Sequence, residues 1–135
     1  MEAQHKLAKK VFDEYLKHKS LKEYIDWMLG EDIYKLKQNG LYKFVFGEND
    51  DREEYSWTSF WTEEGTPLST IDYRESIYKK WIVELGYSVN ELKNIHGRKL
   101  HRAIPYAKDK KVSQSILEQA RILTFNDFID FLKEL

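Results

Sequence analysis

Cysteine is absent from the 135 residues, and the chain contains only two prolines and six glycines. The lack of cysteine excludes disulfide bonds, thiolate nucleophiles and cysteine-based zinc sites, and it is compatible with a reducing cytoplasm. No apolar run approaches the roughly 20 residues of a membrane-spanning helix, and the N-terminal residues lack the apolar core of a secretory signal. We therefore expect a cytoplasmic protein that has no contact with a membrane.

The familiar catalytic sequence motifs are missing as well. The chain has no P-loop, no G-x-G-x-x-G, no G-x-S-x-G and no H-E-x-x-H. His96 and His101 are five residues apart, which places them about 140° apart around a helix and prevents both from facing one metal ion. We predict no metal, no cofactor and no local catalytic centre. An enzyme whose site is assembled from distant residues is the third interpretation, with His101 and Arg98 as its first candidates.

What is present is the composition of a globular protein. Apolar residues make up 41% of the chain, charged residues 33% and aromatic residues 15%. A chain of this length fits one domain, residues 1–135, and buries enough surface to be stable without covalent cross-links.

Several segments carry the pattern of a helix start, in which a capping serine or threonine precedes an acidic residue by three positions. The pairs are Ser20–Glu23, Ser69–Asp72, Ser88–Glu91 and Thr124–Asp127. Gly30 and Gly86 are expected to end the first two of these helices. A further helix is predicted over about residues 5–18, where Leu7, Val11 and Tyr15 share a face.

The middle of the chain is rich in aromatic and β-branched residues that alternate with period two, as in a strand. We predict strands at 33–37, 41–46 and 55–62. Asn39–Gly40 would form the hairpin turn, although residues 31–38 also fit a short helix that ends there. Residues 113–123 fit either a helix or a short strand. The predicted fold class is α+β: two N-terminal helices, a small antiparallel β-meander of two to three strands, and three C-terminal helices.

A basic segment, residues 93–111, holds seven Lys or Arg residues and one acidic residue, a net charge of +6. On a helix, Asn94, Arg98 and Arg102 would form one stripe, with His96 at the edge of the core. The pattern is typical of a surface that contacts nucleic-acid phosphates, and equally of a solvated basic helix end. The candidate nucleic-acid-binding residues are Arg98, His101, Arg102, Lys108, Lys110 and Lys111.

An acidic segment, residues 47–64, holds seven acidic residues and one arginine, a net charge of −6, and it is interleaved with aromatic residues. Aromatic anchors within a polar rim are common at protein interfaces. A solvated loop and internal pairing with the basic segment are the other interpretations. The candidate partner-binding residues are Asp50, Asp51, Glu53, Glu54, Tyr55, Trp57 and Trp61.

The leading functional hypothesis is a small non-enzymatic binding protein that acts by protein–protein contact. It would be an inhibitor, adaptor or immunity-type protein in a phage or bacterial-defence setting, and its partner could be a nucleic-acid-processing enzyme. The alternative is direct nucleic-acid binding through residues 93–111. The oligomeric state stays open, as does the question whether residues 47–64 and 93–111 pair internally.

Overall fold

A computed structural model describes residues 2–19, 25–45, 56–92 and 94–135. The α-helices in these ranges are α1 (Glu2–Lys19), α2 (Ile25–Lys37), α3 (Trp57–Glu64), α4 (Leu68–Tyr78), α5 (Val89–Leu92), α6 (Gly97–Ala103), α7 (Lys110–Ile122) and α8 (Phe125–Lys133). Two 3-10 segments, Gln38–Phe44 and Ile104–Tyr106, and a π-helical segment, Lys79–Glu84, complete the order. The chain divides into two compact units, Met1–Glu75 (unit 1) and Ser76–Leu135 (unit 2).

The predicted α+β fold with a β-meander is wrong, because the described part of the chain is helical and contains no strand. The strand expected at 33–37 lies inside α2, and the one expected at 41–46 begins as a 3-10 segment. The described residues of the strand expected at 55–62 are the N-cap residue Ser56 and the first turns of α3.

Spacing explains why the aromatic residues of α3 are helical. Trp57, Phe60 and Trp61 recur at i, i+3 and i+4, which brings all three rings to one side of a helix. Ser56 caps this helix by accepting a hydrogen bond at its Oγ from the backbone N–H of Ser59, at 3.0 Å. Gly65 ends it with φ 102°, a conformation that glycine adopts without steric penalty.

The Asn39–Gly40 pair ends α2 and does not form a hairpin turn. Both residues are left-handed, with φ 53° for Asn39 and φ 67° for Gly40, and the chain then continues as a 3-10 segment. This confirms the alternative in which residues 31–38 are helical and end at Asn39–Gly40. Leu41 and Val45, four residues apart, are both buried beyond that point.

Unit 1 is built around α1, α2 and the 3-10 segment that follows α2. Its core is aromatic: the Phe60 and Trp61 rings meet edge to face at 4.8 Å, and the Tyr15 and Trp61 rings at 5.2 Å. Such edge contacts contribute about 0.5–1.5 kcal/mol per pair beyond the area that they bury.

In unit 2, α6, α7 and α8 pack against one another, and Trp81 of the π-helical segment is fully buried. The Trp81 indole Nε1 donates a hydrogen bond to the carbonyl of Leu100 in α6, at 3.0 Å. A second buried hydrogen bond joins the hydroxyls of Tyr87 and Ser113, at 2.7 Å. These bonds satisfy polar atoms that would be costly to bury alone.

Of the four predicted helix caps, two are confirmed, one is wrong and one lies outside the described residues. Ser88 and Glu91 form the reciprocal capping box, with backbone-to-side-chain distances of 3.0 and 3.3 Å, and Thr124 caps α8. The Ser69 cap is wrong because α4 already begins at Leu68, and the Ser20–Glu23 pair lies outside the described residues.

Of the two glycines predicted to end helices, one does so and one does not, and the remaining helix predictions are confirmed. Gly30 does not end a helix, because it is buried inside α2, where packing outweighs the roughly 1 kcal/mol that glycine costs a helix. Gly86, with φ 78°, follows the end of the π-helical segment as expected. The helix predicted at 5–18 is confirmed by α1, and the helical interpretation of 113–123 by α7.

Candidate functional site

Most of the predicted partner-binding residues fall outside the part of the chain that the structure describes. These are Asp50, Asp51, Glu53, Glu54 and Tyr55. Trp57 is partly exposed in the first turn of α3, and the Lys37 Nζ lies 5.6 Å from its ring centroid. Trp61 is 1% exposed within the core of unit 1, so its ring offers no surface to a partner.

The described part of the basic segment covers a turn, α6, the 3-10 segment Ile104–Tyr106 and the start of α7. The helix begins at Gly97, and Asn94 lies in the turn before it, so Asn94 does not continue the stripe of Arg98 and Arg102. His96 does not line the core edge: it is exposed and caps α6, accepting a hydrogen bond at Nδ1 from the backbone N–H of Arg98, at 3.2 Å. The helix predicted through Asn94, Arg98 and Arg102 is therefore interrupted before Gly97, and glycine is a weak helix former.

Two lysines of the basic segment hold unit 2 together. The Lys99 Nζ donates to the carbonyls of Ala120 and Leu123 at the end of α7, at 2.7 and 2.5 Å. The Lys110 Nζ donates to the carbonyl of Leu85 at 3.0 Å and lies 3.4 Å from the Tyr87 ring centroid. Both ammonium groups serve the fold, Lys99 by neutralising the negative end of a helix and Lys110 through a cation–π contact.

Four other described cations of the segment face solvent. Arg98, Arg102, Lys108 and Lys111 are exposed, and we call them the exposed cations. Within the described ranges, no carboxylate forms an ion pair with any of the four. The Arg98 guanidinium carbon lies 4.5 Å from the Phe125 ring centroid, which orients the side chain and leaves the N–H edge available. His101 is half-buried on the same helix.

The charge of the chain is distributed unequally between the two units. Unit 1 has sixteen acidic and eleven basic residues, a net charge of −5, whereas unit 2 has seven acidic and eleven basic residues, a net charge of +4. The near-neutral total therefore conceals a positive unit, and a positive surface attracts polyanions at long range.

The pKa of one carboxylate in unit 2 is lowered. Hydrogen bonds from the Ser88 backbone N–H and hydroxyl hold the pKa of Glu91 below its usual range.

Unit 1 carries a groove of about 440 Å³ that the sequence did not predict. Its apolar lining comes from Leu7, Val11, Leu41 and Phe44, and polar residues of α1, α2 and the 3-10 segment after α2 form the rest. Leu7, which was predicted to share a face with Val11, is 52% exposed at this groove. The sequence pointed to this face through the four-residue spacing of Leu7 and Val11 along α1. Spacing alone does not show whether other residues of the protein cover the face.

Among the described residues, no group of three or more His, Asp or Glu side chains is arranged to hold a metal ion. None of the helices in those ranges is long and apolar enough to cross a membrane. Comparison of this chain with protein-family models, with curated proteins and with solved structures finds no match.

Proposed function

We propose that the protein is a small binding protein that holds the phosphate backbone of a nucleic acid with the exposed cations of unit 2. The observation that carries this proposal is the division of the basic segment. Lys99 and Lys110 are engaged in the fold, whereas Arg98, Arg102, Lys108 and Lys111 are exposed without a carboxylate partner in the described part of the chain. Folding therefore leaves four positive charges unused on a unit of net charge +4.

The spacing of these residues fits contact with a backbone. Arg98 and Arg102 are one helical turn apart, about 6 Å along the axis, so two guanidinium groups face the same side of α6. Each guanidinium can bind a phosphate through two N–H groups, and lysines act as point charges. Contacts of this kind position a protein on nucleic acid and carry no sequence information, so we expect binding that is insensitive to sequence.

The test is fluorescence anisotropy with a labelled duplex over a series of salt concentrations. The plot of log affinity against log salt has a slope of about −0.9 per phosphate contacted, so four contacts predict a slope of about −3.6. Arg102→Gln and Lys111→Gln should each make the slope shallower by about 0.9. Lys9→Gln is the matched control, because Lys9 is an exposed lysine of α1 in unit 1. A wild-type protein that does not bind at low salt, or variants with the wild-type slope, would refute the proposal.

Protein–protein contact is the second proposal, and what supports it is the partial exposure of Trp57 at the start of α3. In sequence this ring follows the acidic residues Asp50, Asp51, Glu53 and Glu54. Replacement of those four by serine should abolish capture of a protein partner in a pull-down. Unchanged capture by a variant with wild-type circular dichroism would exclude the acidic residues.

Two further expectations remain predictions. We propose the cytoplasm as the site of action, because a chain without cysteine is compatible with a reducing compartment. An enzyme that uses Arg98 and His101 has no added support from the geometry. Its test is substrate turnover by the His101→Asn variant.

A further inference from the structure

The helical run that begins at α6 extends beyond its last residue and carries an aromatic ring into the basic segment. After Ala103 the chain continues as the 3-10 segment, and the Ala107 N–H still bonds to the Ala103 carbonyl at 3.1 Å. Arg98, Arg102 and Tyr106 therefore follow one another at four-residue intervals along one run. Four residues exceed an α-helical turn and the 3-10 segment turns further per residue, so Tyr106 lies one turn beyond Arg102 along the run and is rotated around it from the two arginines.

The surroundings of Tyr106 differ from those of most other rings in unit 2. Trp81 and Phe128 are fully buried, Tyr87 is 4% exposed, Phe131 stacks on Phe128, and Phe125 is covered by the Arg98 guanidinium. Tyr106 is partly exposed, and within the described ranges no ring stacks on it and no hydrogen bond engages its hydroxyl.

The residues after Tyr106 add positive charge. Lys108 and Lys111 are exposed, and the acidic residue between them, Asp109, is used as the N-cap of α7. The Asp109 Oδ1 accepts a hydrogen bond from the Val112 N–H at 2.9 Å, which helps to hold the carboxylate at the helix start. Tyr106 is thus a partly free ring with exposed cations before and after it in the chain.

We propose that Tyr106 stacks on an unpaired base while Arg102 and Lys108 contact the phosphates on either side, so that unit 2 prefers single-stranded nucleic acid to duplex. This inference rests on the proposed function and narrows it to one form of the ligand. In a duplex, neighbouring bases cover each base face, and a ring that stays on the protein surface contacts only the backbone. In a single strand, bases splay out and stack on aromatic side chains, while cations follow the backbone.

The experiment compares a labelled single strand with a hairpin duplex that has the same number of phosphates. Tyr106→Ala should weaken binding of the single strand by about 5- to 150-fold, which corresponds to the stacking of one base. Tyr106→Phe keeps a flat ring and should stay within about twofold of wild type. Tyr106→Leu keeps apolar bulk without the flat ring, so it should lose affinity as the alanine variant does while preserving local packing.

The duplex serves as the internal control, because its affinity should change by less than about twofold in all three variants. Equal losses for both ligands, a loss in Tyr106→Phe, or no loss in Tyr106→Leu would overturn the inference. If wild type binds both ligands with the expected salt slope and Tyr106 is dispensable, the inference alone fails. If wild type binds neither ligand at low salt, the proposed function fails together with it.

Discussion

Replacement of Lys99 by methionine should destabilise the protein although this lysine belongs to the basic segment. The Lys99 Nζ bonds to the carbonyls of Ala120 and Leu123 and lies 5.9 Å from the Phe128 ring centroid. Hydrogen bonds with a charged partner contribute about 1.5–3 kcal/mol, and a cation at a helix C-terminus contributes about 0.3–1 kcal/mol. Lys99 is partly exposed, so water replaces part of this loss. We expect the free energy of unfolding to fall by about 2 kcal/mol.

The assay is urea unfolding followed by far-UV circular dichroism. With a denaturant dependence of about 2 kcal/mol per molar urea, the midpoint should fall by about 1 M. Lys111→Met is the matched control, because it removes the same charge from an exposed position of α7. Lysine and methionine have similar helix propensities, so the control should stay within about 0.5 kcal/mol of wild type.

Coincident unfolding curves for Lys99→Met and Lys111→Met would refute the assignment of Lys99 to the fold. The same two variants separate folding from binding. Lys99→Met should keep the wild-type dependence of nucleic-acid affinity on salt, whereas Lys111→Met should make the slope shallower by about 0.9.

Two further predictions concern the capping box and a glycine. The pKa of Glu91 should lie below 4.5 when the chemical shift of its side-chain carbon is followed by NMR, and Ser88→Ala should raise the pKa only part of the way towards that value, because the variant keeps the backbone N–H bond to the carboxylate and loses the hydroxyl bond. A lowered pKa means that Glu91 stabilises the fold above about pH 4.5 and that this contribution is lost as the pH falls through the lowered pKa; an identical acid dependence in Glu91→Gln would contradict this. Gly65→Ala should reduce the free energy of unfolding by about 1–2 kcal/mol through backbone strain alone, because φ is 102° and no atom lies within 4 Å of an added Cβ. Wild-type stability in urea would show that the backbone relaxes.

Local signals in the sequence predicted helix boundaries better than they predicted the middle of the chain. The Ser88–Glu91 and Thr124 caps are visible because capping chemistry involves residues only three positions apart. The β-meander failed because alternation in a short aromatic run also fits helical spacing. Trp57 and Trp61, four residues apart, satisfy both patterns, and the packing of Trp61 against Tyr15, more than forty residues away in sequence, favours the helix.

The candidate site was predicted in its composition and not in its arrangement. Net charge marked residues 93–111, but charge alone cannot distinguish a lysine that binds distant carbonyls from one that faces solvent. Lys99 and Lys111 look alike in sequence, and only the position of the end of α7 separates their roles. Tyr106 was overlooked for the same reason, since its place one turn beyond Arg102 depends on the helical run continuing past Ala103.

The tryptophans are divided unequally between the units. Tryptophan fluorescence and circular dichroism therefore report on different parts of the protein during unfolding. Trp27, Trp57 and Trp61 belong to unit 1, whereas Trp81 is the one tryptophan in the sequence of unit 2. Emission intensity therefore reports mainly on unit 1, while circular dichroism weighs every helix. If residues 1–135 form one cooperative domain, the two signals change together. If unit 2 melts separately, a variant that retains only Trp81 has its emission transition at a different urea concentration from wild type.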